Sequence, residues 1–454
     1  MAAGLYGKKY ISSVADFLVA GRGLGLYLGI STLAATEIGT VTFMYYAELG
    51  YKTGFSSFIN GLIAGTVMIL IGRTGFVIQR LRELQLMTIP EYFERRYSRN
   101  LRVLTGVLVA TGGILNMGVF LKIEGTFLAL ISGIPLEYLK VVMTGILLLE
   151  LLYTVLGGMV SVVITDFIQF VALSAGALIV TALSIHAAGW QRMHDVVRQT
   201  MGAGGFDPTA APQYGWAFIA FQVMFWMAIN TCWQTTAMRT FSTRDSSISK
   251  RVFTWTGFIF LGRGMLPMLW GIAALALLGP GQDSLNAMPM MLGRILPQGL
   301  RGIVVAGMLA ATMSVNSSYL LGWSSIIAQD IVRPLRRQAL SSRAQVALNR
   351  TANLFVSLFI MFWGLWYTLP GPAYFYLNIT ATIFVGGSFA AIVGGLYWRR
   401  ANVAGGYAAM LGGAAASLAF FFLKWPASRA GFGAFALAFA GLVAGSFIGG
   451  RKEA

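Results

Sequence analysis

The sequence predicts an all-α, polytopic membrane protein with about 12 transmembrane helices, and three observations carry that prediction. Apolar residues make up 57% of the 454 positions and charged residues only 11%, where soluble domains carry about 25% charged residues. Apolar runs of the roughly 20 residues needed to cross a bilayer recur along the whole length. The basic residues collect in alternate connections between those runs.

The spans are expected at roughly 25–49, 54–79, 103–133, 138–156, 160–187, 214–238, 252–279, 301–328, 350–369, 373–397, 404–423 and 431–449. With these boundaries 23 Lys and Arg residues fall on one side and eight on the other, while Lys122 and Arg263 lie inside spans. The positive-inside rule then places both termini in the cytoplasm, in a plasma (inner) membrane protein. The net charge of +17 is a topology signal whose partner is the anionic lipid surface, not nucleic acid. Met1–Asp16 is too polar to supply the core of a cleavable signal peptide. One cysteine, Cys232, excludes a disulfide framework and a cysteine-based metal centre, and only two histidines are present. With no nucleophile–base pair or metal motif, an enzyme is not expected.

Spans one to five and spans six to ten have opposite topology, the 5+5 inverted-repeat plan of many secondary transporters. The expected organisation is an N-terminal segment (1–24), a first five-helix unit (25–190), an extracellular loop (191–213), a second, inverted unit (214–398) and two extra C-terminal helices with a tail (399–454). In that plan the first helix of each unit is broken near the bilayer midplane. The first span carries Thr36, Glu37, Gly39, Thr40 and Thr42 at mid-depth; the sixth carries Asn230, Thr231, Gln234, Thr235 and Thr236. Such small polar residues can simply pack helices together. Their matching positions in the two units favour broken backbone that binds a solute or ion. In Tyr153–Phe170 a Gly157–Gly158 break joins two apolar runs, and Asp166 sits in the second. An acid at that depth is costly unless a cation, a proton or a polar cavity meets it, which points to transport of something charged. Met87–Arg102, amphipathic and basic, reads as an interfacial helix on the cytoplasmic face.

Several segments together resemble the solute:sodium symporter family, which includes sodium-coupled sugar, proline and sialic acid transporters. They are DFLVAGRGLG (Asp16–Gly25), TIPEYFERRY (Thr88–Tyr97), YTVLGGMVSVVITDFIQ (Tyr153–Gln169), MRTFSTRD (Met238–Asp245), LPQGLRGIVVAGMLAATMSVNSS (Leu296–Ser318), SSIIAQDIVRPL (Ser324–Leu335) and GLYWRRANVAGG (Gly395–Gly406). The resemblance implies a leucine-transporter-type fold, alternating access and sodium coupling. Family members usually begin with an extra helix before the AGR segment; here only about 15 polar residues precede it, so either that helix is absent or the natural start lies upstream.

The resemblance also implies a sodium site between the broken first helix and the eighth span. It carries over the carbonyls of Ala35, Ile38 and Ala311 and the Ser314 hydroxyl, with Asp166 in support. Na⁺ is a hard cation, and unwound carbonyls and hydroxyls supply oxygens without a buried net charge. Where the family usually has a second hydroxyl stands Val315, which cannot coordinate the ion. Glu37 stands where sugar transporters have Asn and proline transporters have Asp. It could carry a proton, replace the missing ligand, meet a substrate ammonium, or pair with a buried base such as Lys122 or Arg263. Lys122, if placed at the ion site, would replace sodium. The positions matching the sugar pocket hold Thr42, Asn60, Trp226 and Arg263, so most sugar contacts are not retained. Arg263, a permanently charged fork, suits a carboxylate. The expected substrate site is therefore Glu37, Thr42, Asn60, Trp226 and Arg263. The expected function is Na⁺-driven import of a small organic solute such as an amino acid or organic anion, with Gly157–Gly158 letting the fifth helix move as the inner gate. The alternatives are proton-coupled or sodium-independent transport on the same fold, and a membrane solute sensor without net transport.

Overall fold

The computed structural model describes residues 13–212, 214–336, 340–369, 371–423 and 427–448, with side chains described throughout except at 149–158, 160, 161, 420–422 and 427. Among the described residues the chain is helical, apart from a lone bridge between Leu24 and Thr243. Nine helices among them are long and apolar enough to cross a membrane. Three features separate nine from the expected twelve. The first span is interrupted, leaving Leu26–Glu37 and Thr40–Thr53 as halves. The element Leu139–Ala188 takes in both the fourth and fifth expected spans as one helix that runs through Gly157–Gly158, where the sequence predicts a break. The helix Val403–Leu423 contains residues that are not fully described.

The interruptions fall where the polar clusters stand. Leu26–Glu37 ends at Ile38 (φ −115°, ψ 96°), and Gly39 (φ −133°, ψ 176°) is extended before helix resumes at Thr40. In the sixth span, Gly215–Cys232 ends at Trp233 (φ −69°, ψ 124°) and Gln234–Ser242 continues beyond it. Each break strands the last carbonyls of one half and the first amides of the other, which no intrahelical partner can meet.

The wall beside the first break is built from glycines. A Cβ at Gly264 would lie 2.6 Å from Gly61 Cα, one at Gly271 1.9 Å from the Ala47 carbonyl oxygen, and one at Gly50 2.1 Å from the Met268 oxygen. Ser246–Leu278 thus meets Thr40–Thr53 and Phe58–Thr74 backbone against backbone, the close approach that small residues permit inside a bilayer. Gly54, with φ +60°, turns the chain between the latter two helices.

The Met87–Arg102 segment forms the helix Ile89–Arg96, with Ile89, Pro90, Tyr92 and Phe93 buried. It is fastened to distant elements of the protein. The Thr88 hydroxyl donates to Asp330 Oδ1 (2.9 Å), the Ile89 amide to Gln234 Oε1 (3.0 Å), and Arg96 to the carbonyls of Gly395 and Ala401. Arg102 adds an ion pair to Asp330 at 2.7 Å. The apolar face of this helix is therefore covered by protein.

Candidate functional site

The first break lies against the helix Gln298–Ile326. A Cβ at Gly39 would sit 2.6 Å from Val315 Cγ2 and 3.6 Å from the Ala311 carbonyl oxygen. Thr40 donates to the Met308 carbonyl and accepts from Thr312, both at 2.9 Å, and the hydroxyls of Thr36 and Ser318 are 3.2 Å apart. Ala35 and Ile38 are buried at the end of the half-helix Leu26–Glu37, which packs against the helix that carries Ala311 and Ser314.

Asp166 is wholly buried in this corner and fully engaged. Ser314 donates to its Oδ1 and Thr32 to its Oδ2, each at 2.5 Å. Arg239 Nη2 lies 3.5 Å from Oδ2 and donates to Ser318 Oγ at 2.5 Å. Span counting had put Arg239 with the cytoplasmic loop bases. The structure buries it at 1% exposure, one turn inside the half-helix that follows the second break. The cation beside Asp166 is this arginine. Lys122 lies elsewhere, with Nζ donating to the Tyr367 carbonyl at 3.0 Å. The corner thus holds hard oxygens suited to Na⁺, one apolar Val315 among them, and an acid whose charge is already met by a guanidinium. Among the described residues no cluster of three or more His, Cys, Asp or Glu side chains is placed to hold a metal ion.

Between the two breaks lies a chamber lined by residues of both. Its lining residues are buried, none more than 9% exposed. Near one end Tyr45 packs on Tyr374 with centroids 5.5 Å apart. At the other, Trp233 Nε1 donates to the Tyr319 hydroxyl (3.2 Å) while its ring stacks on Phe384.

Four of the five expected substrate residues line this chamber: Glu37, Thr42, Trp226 and Arg263. Asn60 does not. It stands behind Tyr374, accepting from that phenol at 3.2 Å and donating to the Ser57 carbonyl, because the phenol ring fills the space between it and the chamber. Thr42 turns its hydroxyl back to the Glu37 carbonyl at 3.1 Å. Glu37 links the two breaks: its Oε1 accepts from Thr235 (3.0 Å) and Thr236 (3.1 Å), in the first turn of Gln234–Ser242. An acid there is also favoured by the positive end of the helix dipole. No ion pair joins Glu37 to Arg263. Arg263 instead sits among rings, 4.5 Å from the Phe260 centroid and 5.6 Å from that of Trp226, with Nη2 donating to the Tyr45 hydroxyl at 3.3 Å. Glu124, two positions from Lys122, also lines the chamber.

Residues 17–413 match the model of the Sodium:solute symporter family. The chain is 26% identical over 434 residues to a sodium/glucose cotransporter of Vibrio parahaemolyticus, covering 87% of this chain and 77% of that protein. It is likewise 26% identical over 422 residues to the sodium/pantothenate symporter of Escherichia coli, covering 88% of this chain and 82% of the relative. A solved structure of a Na⁺-coupled sialic acid symporter, substrate-bound and outward-open, superposes with a TM-score of 0.82 at 20% identity, covering 98% of this chain and 95% of that one.

Proposed function

The chain belongs to the sodium:solute symporter family, and on that premise we propose that it imports a small organic solute by alternating access, driven by co-transported Na⁺. One observation carries this reading: two broken helices meet at a chamber lined by polar and apolar side chains, stitched together by Glu37, Thr235 and Thr236. Unwound backbone at bilayer depth persists only where it is buried in protein or lines a cavity. The carbonyls of Ala35, Ile38 and Ala311 and the Ser314 hydroxyl form the ion site, with Asp166 orienting Ser314. Glu37, Thr42, Trp226 and Arg263 line the solute site. The reading includes the twelve spans, the inverted five-helix units at 25–190 and 214–398, and both termini in the cytoplasm of an inner-membrane protein.

The ion and the solute sites share the first break, which is how occupancy of one favours closure on the other. Na⁺ draws Ala35 and Ile38 toward Ala311 and Ser314, and this fixes the wall that presents Glu37 and Thr42. The test is uptake into proteoliposomes under an imposed sodium gradient. Sodium-driven accumulation that is lost in Ser314→Ala supports the assignment; sodium-independent uptake, unchanged in that variant, overturns it.

A second reading, sodium-independent or proton-coupled transport, draws on two observations. Val315 occupies a ligand position, and Arg239 already neutralises Asp166. Under that reading Glu37 carries the proton. A pH gradient without sodium drives uptake only in this case.

A further inference from the structure

The chamber wall carries charged groups whose hydrogen-bonding capacity the protein itself leaves unspent. Arg263 is 7% exposed, and its Nε and Nη1 have no hydrogen-bond partner within the protein. Trp226 Nε1, beside it on the same wall, is likewise without one. Glu124 is 2% exposed; its Oε2 accepts from Asn316 Nδ2 at 2.8 Å and its Oε1 has no partner. Buried polar atoms left unpaired cost about 1–3 kcal/mol each, more when charged, so such atoms on residues that line a cavity mark where a ligand completes the set. Donors sit on the wall formed by Ser246–Leu278 and Gly215–Cys232. The open carboxylate oxygen sits on Phe120–Ser132, a different wall packed against Gln298–Ile326.

We propose that the chamber takes a zwitterionic α-amino acid, its carboxylate held by the Arg263 fork and Trp226, its ammonium by Glu124. This rests on the transport reading above and names its substrate class. Phe120, Phe225, Ile229 and Leu377 line further parts of the chamber beside Asn116 and Asn378, and an apolar side chain suits the larger, apolar share of that wall. A plain organic anion would leave Glu124 Oε1 without a partner, and a sugar would leave the guanidinium without a counter-charge.

The test uses the purified full chain in nanodiscs with saturating NaCl and follows thermal unfolding against matched probes. These are L-leucine, L-methionine and L-phenylalanine, the des-amino acids 4-methylpentanoic and 3-phenylpropanoic acid, the amines 3-methylbutylamine and phenethylamine, and D-glucose. A ligand that binds only the folded state raises the unfolding temperature by mass action. At least one amino acid is expected to stabilise the protein, with its des-amino acid and its amine each binding at least about tenfold more weakly. Glu124→Gln is expected to weaken the amino acid by at least about tenfold while leaving its des-amino analogue unchanged or tighter, and Arg263→Met to weaken both carboxylates about 10- to 100-fold. The proposal is overturned if none of the three amino acids stabilises the protein, if the des-amino acid binds as tightly as the amino acid, or if glucose alone binds. Should Glu124→Gln fail to fold, the probe series on the unaltered chain still decides. Amino acid binding that ignores sodium overturns the coupling assignment and leaves this proposal standing; sodium-dependent stabilisation by glucose alone does the reverse.

Discussion

The corner around Asp166 and the chamber around Arg263 lie a few side chains apart, and they treat buried charge in opposite ways. Asp166 meets Ser314, Thr32 and Arg239, so both its oxygens are used. Arg263 has rings and one phenol about it, and Glu124 has one amide; each keeps an atom free. A satisfied charge network holds a structure in place, while an incomplete one waits for a partner. The comparison separates residues whose loss unfolds the protein from residues whose loss leaves it folded and unable to bind.

The sharpest way to break this contrast is Asp166→Ala. It strands the Arg239 guanidinium in the interior, and removing one partner of a buried pair costs about 3–5 kcal/mol. Thermal unfolding should show a large loss, partly recovered in the double variant Asp166→Ala with Arg239→Met. A harmless single substitution would mean that the corner is not held by this pair. Arg263→Met is the counterpart. Solute affinity should fall about 10- to 100-fold, read by binding titration, while stability changes by less than about 1 kcal/mol, because no acid loses its partner. Equal damage to stability in both variants would erase the distinction.

Two smaller effects sharpen it. Gly39→Ala drives a Cβ into Val315, and overpacking of this kind costs about 1–3 kcal/mol. Val315→Ala should relieve part of that cost in unfolding scans. Val315→Ser alone restores a hydroxyl at the ion site. A single added contact of about 1 kcal/mol corresponds to roughly fivefold, so the sodium concentration for half-maximal uptake should drop by about that factor. No change would place the ion away from position 315.

Much of this was legible from residue order. The clusters at Thr36–Thr42 and Asn230–Thr236 marked two breaks, found at Ile38–Gly39 and Trp233, because weakly helical polar residues at mid-span have few other uses. Arg239 escaped notice for a physical reason. A base near a span end looks like a loop residue unless the acid that draws it inward is known, and that acid stands 73 positions earlier. Asn60 was assigned to the pocket by its matching position alone; only the tyrosine at 374, far along the chain, reveals that it stands in a second layer.

The glycine seam joining Gly50, Gly61, Gly264 and Gly271 has an evolutionary corollary. Where main chains touch, any larger residue pries helices apart, so drift there is barred whatever cargo is carried. Arg263, next to Gly264, projects from that frozen frame into open space and is at liberty to be exchanged. Inheritance of the architecture and diversification of diet are thereby assigned to neighbouring positions of a single helix.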